Sequence, residues 1–93
     1  MRELTVADFN DRIGQDFSAD VEGGPLPLTL DGVQELPSMG RQGGAFRLEF
    51  LGPHQPILPQ AIYPLHIAEE RMEIFIVPIG QEPRGVRYEA IFV

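Results

Sequence analysis

The sequence has no cysteine. Within these residues that excludes a disulfide, a thiolate metal site and a cysteine nucleophile. It has no lysine either, so all seven basic residues are arginines. Schiff-base chemistry and a phosphate loop with its invariant lysine are therefore absent. No apolar run approaches the roughly 20 residues of a membrane helix. The opening, Met1-Arg2-Glu3-Leu4-Thr5, lacks the apolar stretch of a secretory signal. The expected location is the cytoplasm, or an exported particle reached without such a signal. Hydroxyl nucleophiles are scarce: Ser18, Ser38, Thr5 and Thr29 are the only ones. None lies in a Gly-x-Ser-x-Gly turn.

What the chain does have is acid and apolar alternation. Fourteen carboxylates against seven arginines give a formal charge of −7. Such a surface repels phosphates, so neither nucleic acid nor an anionic membrane is an expected partner. At 93 residues and 43% apolar content, one domain with a real core is expected, and disorder is not.

The N-terminus carries a helix-start pattern, predicting a helix over residues 6–13. Thr5 is placed to cap and Asp8 to reach back to it. Leu4 and Phe9 have the spacing of a hydrophobic staple, and Gly14 is placed to end the helix in the left-handed region. The Phe9 and Ile13 face is expected to pack on a sheet.

From Asp16 the period becomes 2. Strands are expected near 16–21, 25–36, 45–51, 61–67, 72–79 and 86–92. Gly23-Gly24 marks a tight turn. The parity of the second strand breaks after Leu30, predicting a bulge at Asp31-Gly32. Pro64 in the fourth strand predicts an edge or a bulge. In the fifth, Ile74-Phe75-Ile76-Val77 are consecutive and predict burial on both faces. Every connector is too short for a crossover helix. The expected fold is mainly β: about six antiparallel strands forming a small barrel or roll, plugged by one short N-terminal helix.

Several segments together carry a family resemblance. They are Glu3-Leu4-Thr5-Val6-Ala7-Asp8-Phe9, Gly43-Gly44-Ala45-Phe46, Leu58-Pro59-Gln60, Glu73 to Gly80, and Arg87-Tyr88-Glu89-Ala90-Ile91-Phe92. The chain resembles a family of small uncharacterised bacterial proteins, a domain of unknown function, over essentially its full length. The resemblance departs at Ala61-Ile62, where a Gly-Thr pair is expected before the tyrosine. Members are often encoded near phage-tail-collar-like proteins, which implies a structural or assembly role.

No catalytic, cofactor or metal site is expected. His54 and His66 are the only histidines, and the strand-to-turn spacing of His66 and Glu69 does not converge on a metal. The abundant carboxylates read as a solvated face. Two places are candidates for recognition. One is the glycine-rich connector at 38–44 with Met39 and Arg41, together with Arg47. The other is whatever part of Phe75, Val77 and Ile91 the fold leaves uncovered. The expected function is a non-enzymatic structural or protein-interaction domain with an unknown protein partner or self-association. The resemblance implies a link to a phage-tail-like or secreted bacterial assembly. The alternative is a small barrel holding an apolar small molecule.

Overall fold

The computed structural model describes residues 3–37, 40 and 44–93. One short helix, α1 (Ala7–Asn10), precedes six strands: β1 (Asp16–Val21), β2 (Gly24–Leu36), β3 (Ala45–Gly52), β4 (Ala61–Ile67), β5 (Glu70–Glu82) and β6 (Gly85–Phe92). All pairings are antiparallel, and the strands close into a barrel in the order β1-β2-β3-β6-β5-β4. The mainly β expectation is met. Among the described residues no helix is long and apolar enough to cross a membrane.

Closure is not a simple meander. β1-β2-β3 and β4-β5-β6 are each contiguous ribbons, joined by β3 against β6 and by β1 against β4. The two joints differ in length. Seven registered pairs, from Phe46–Phe92 to Gly52–Val86, knit β3 to β6. Only Ser18–His66 and Ala19–Leu65 knit β1 to β4. That short ladder stops beside Pro64, which has no N–H to contribute.

The interior follows from alternation. Phe17, Ala19, Leu28, Leu30, Phe46, Leu48, Phe50, Leu65, Ile74, Ile76, Tyr88 and Ala90 all point inward and are buried. Their neighbours along each strand point out. Asp31 is the extra residue of the bulge between Leu30 and Gly32, as the broken parity predicted. A second register shift, between Pro78 and Gly80, sets Ile79 out of the β5–β6 ladder.

One mouth of the barrel is plugged by α1. The capping pattern is half realised: the Thr5 N–H donates to Asp8 Oδ2 at 2.8 Å, while no side chain caps the helix start. The helix is much shorter than the 6–13 expected. Gly14 (φ +90°) donates its N–H to the Leu30 carbonyl, and the Leu30 N–H returns to the Gln15 carbonyl. Entry into the β1–β2 ladder thus takes over the residues that would have extended the helix. Phe9 is fully buried as expected, but Ile13 is exposed, because the chain has already turned away from the core. Arg12 instead pairs with Glu70 at 3.0 Å, fastening the plug to β5.

The other mouth is covered by the crossover at 53–60. Leu58 is buried there, and its N–H donates to Tyr88 Oη at 2.9 Å. Burial pushes the Tyr88 phenol above its ordinary value, and the bond from Leu58 partly offsets this. Tyr88→Phe leaves the buried Leu58 N–H without an acceptor and is expected to cost about 1–3 kcal/mol by urea denaturation. The raised phenol also has a pH consequence. Its contribution is fully present below pH 10.0, the ordinary tyrosine value, and is lost as pH rises through the higher folded value. The Phe variant should lose that alkaline slope.

Candidate interaction surface

The site begins with the alternation of β5. Met72, Ile74 and Ile76 are buried, while Arg71, Glu73 and Phe75 are exposed and Val77 is half-buried. The expectation that both faces of this strand are covered is therefore corrected. One face meets the core; the other lies on the outside of the barrel with Phe75 51% exposed. Four consecutive apolar residues do not distinguish a doubly covered strand from a strand with an open apolar face.

The register assembles a patch around Phe75. Ile62 of β4 is its direct cross-strand partner and is 62% exposed. On the other side, the β5–β6 ladder ends at Val77–Glu89, and Ile91 lies two residues beyond Glu89 on the same outward side of β6. Ile91 is 51% exposed. Ile62 and Phe75 thus form an exposed apolar cross-strand pair, with Val77 the next outward residue of β5 and Ile91 further along the outer side of β6. Scattered single apolar residues are normal on a surface, whereas these lie together on one outer wall of the barrel. Phe75, Val77 and Ile91 were legible as candidates. Ile62 was not singled out, although its outward position follows from the Tyr63, Leu65 and Ile67 alternation.

Next to this surface lies a lattice of charges. Arg47 pairs with Glu49 and Glu89. Arg87 meets Glu82, Asp31 and Glu49 at 2.8, 3.0 and 2.7 Å. Arg84 adds weaker contacts to Asp31 and Glu82. The bulge at Asp31 aims its carboxylate into this lattice. Hydrogen bonding from Arg87 holds Asp31 and Glu82 below the ordinary carboxylate range. Hydrogen bonds to Glu89 and Glu82, respectively, hold Arg47 and Arg87 more firmly protonated. All these groups keep their charge at neutral pH, so the lattice suits holding a shape rather than moving protons. Arg47, expected as a recognition residue, is a member of it.

The lattice yields an acid-dependent prediction. Arg87→Gln leaves three carboxylates facing one another and is expected to cost about 1–2 kcal/mol near neutral pH. Both depressed carboxylates stabilise the fold above their unfolded values of 3.8 and 4.5, and that support is lost as pH falls through their lower folded values. The penalty of the variant should therefore shrink toward zero in acid, read as the difference in denaturation midpoint across a pH series.

The remaining candidates are dispersed. Met39 and Arg41, like Ser38, lie outside the described residues. His54 contacts the Pro83 carbonyl from the crossover. His66 Nε2 meets Asp20 Oδ2 at 2.8 Å on the outer β1–β4 seam. Among the described residues, no three side chains of metal-ligating type gather into a group.

No curated protein and no solved structure matches this chain. A family model does match, over residues 4–92, and spans the helix, all six strands and the whole of the patch. The chain belongs to that family, described as a domain of unknown function (DUF6916).

Proposed function

We propose that this domain is a non-enzymatic structural or protein-interaction module that binds through the outer wall of β4, β5 and β6. The single observation that carries the reading is the exposed apolar surface of Ile62, Phe75 and Ile91 on the outer wall of a closed barrel. An interface core is typically a small, well-desolvated cluster of aromatic and aliphatic side chains, ringed by polar groups. The ordered lattice of Arg47, Glu49, Glu89 and Arg87 supplies such a ring without having to be arranged on binding.

The resemblance noted in the sequence supports a finer reading, a place in a phage-tail-like or exported bacterial assembly. A small-molecule carrier is the weaker reading. The interior where an apolar ligand would sit is occupied by Tyr88, Phe9, Phe17, Phe46, Phe50 and the aliphatic side chains between them.

The test compares the wild type with Ile62→Arg and Phe75→Arg. Both variants should fold with stability within about 1 kcal/mol, because the replaced side chains are half exposed. Wild-type protein, used as bait in the native host, should retain a protein that each variant loses by tenfold or more (about 1.4 kcal/mol). The purified pair should then show the same dependence by light scattering. A partner held equally by the variants, or a strict monomer that captures nothing, overturns the reading.

A further inference from the structure

The border of this apolar surface has a sign. Two residues along the register from Ser18–His66, just past the last pair Ala19–Leu65, Asp20 falls beside Pro64, and Pro64 is paired with Glu73. Asp20 and Glu73 thus flank the surface on one side, with side chains 55% and 45% exposed. Glu89, paired with Val77, flanks it on the other. The exposed Glu22 lies just beyond Asp20, at the β1–β2 turn.

The cations nearby are already engaged. Arg71 is tied to Glu73 at 3.2 Å, and Arg47 to Glu49 and Glu89. The same holds for every other described arginine: Arg12 pairs with Glu70, Arg84 with Asp31 and Glu82, and Arg87 with three carboxylates. The rim carboxylates are engaged through one oxygen each, Asp20 with His66, Glu73 with Arg71 and Glu89 with Arg47, which leaves the second oxygen of each open to a further donor, and the carboxylates of Asp11, Glu22, Glu35 and Glu69 have no cationic partner among the described residues. An acidic partner would meet carboxylates and find each described guanidinium committed. A second copy, itself net negative, would bring the same carboxylates to that border. Both carry a repulsive cost at the rim.

We infer that the occupant of this wall is a basic, apolar segment of another protein, whose aliphatic or aromatic side chains cover Ile62, Phe75 and Ile91 while its arginines or lysines reach Asp20, Glu73 and Glu89. The inference rests on the wall being a protein-binding surface, as proposed above. Its apolar part supplies the burial, and its charge selects the partner and speeds encounter, an effect that weakens with salt.

The experiment titrates isotope-labelled protein with three synthetic peptides of equal length. They share the same alternating apolar residues and carry arginine, glutamine or glutamate between them. Amide shifts locate the site and anisotropy gives the affinity. The arginine peptide should perturb residues around Ile62, Phe75 and Ile91 and bind about tenfold or more tightly than the glutamate peptide, with the margin narrowing as salt is raised. Asp20→Asn and Glu73→Gln should each weaken the arginine peptide a few-fold and leave the glutamine peptide unchanged. Equal or tighter binding of the glutamate peptide at the same residues overturns the charge assignment and leaves the wall standing as a binding surface. So does self-association by sedimentation that Phe75→Arg abolishes. No shift on the wall with any peptide overturns the inference, and the capture test with Phe75→Arg then decides the wall itself.

Discussion

Gly85→Ala is expected to destabilise the barrel by about 3–5 kcal/mol, more than the same change at any other described glycine. Gly85 opens β6, is buried, and has φ +142°, a conformation that side-chain-bearing residues rarely adopt. A Cβ there would lie 2.0 Å from the Gly52 carbonyl oxygen and 3.2 Å from its carbon. Both are backbone atoms of the neighbouring β3, which pairs Gly52 with Val86, so no side chain can swing aside. Either the β3–β6 ladder shifts at this mouth or the β5–β6 turn opens. For a domain of this size the melting temperature should fall by about 20 °C. Gly80→Ala is the control. Gly80 has no atom within 4 Å of its added methyl and an ordinary φ, so that variant should melt within a few degrees of wild type. If the two variants melt alike, the close approach of Gly85 to Gly52 is not what the chain depends on.

The second large effect is expected at Phe9→Ala, about 3–5 kcal/mol. Phe9 is fully buried, and its ring centre lies 6.1, 5.8 and 6.2 Å from those of Phe17, Phe46 and Phe92. These rings come from β1, β3 and β6, so one side chain fills the point where three strands meet. The four-residue α1 cannot hold itself in water, and its position depends on this contact. Hydrogen exchange should show the amides of Asn10 and Arg12 losing protection, and a urea titration should give the free-energy loss. Phe9→Leu keeps part of the volume and should cost less than half as much. A loss under about 1 kcal/mol for the alanine variant would mean that the plug is dispensable.

How much of this was legible beforehand depended on the range of the interaction. Local patterns carried the strands. The clean alternation of Ala45 to Leu51 and the broken parity at Asp31 located β3 and the bulge, because both are consequences of a side-chain period of 2. The helix start was legible too, and the Thr5–Asp8 bond is real. Its end was not, since Gly14 and Gln15 are claimed by Leu30, which is distant in sequence. Strand order was equally hidden: nothing near Ser18 states that its partner is His66. The Arg87 lattice escaped for the same reason, since Asp31 and Glu49 reach Arg87 only after β2, β3 and β6 have come together. At Phe75 the difficulty was different. Apolar character alone says that a residue prefers to leave water, not whether its own chain or another protein provides the cover.

The crowding of Phe9 and Phe92 at one mouth bears on how the domain is carried. Phe92 stacks on Phe46 at 4.5 Å, so the last strand finishes where the first helix is seated. A tether fused after Val93 therefore departs from that same pole. Ile91 shares that pole with Phe92, whereas Ile62 and Phe75 sit on β4 and β5, so such a tether would crowd the Ile91 end of the wall first.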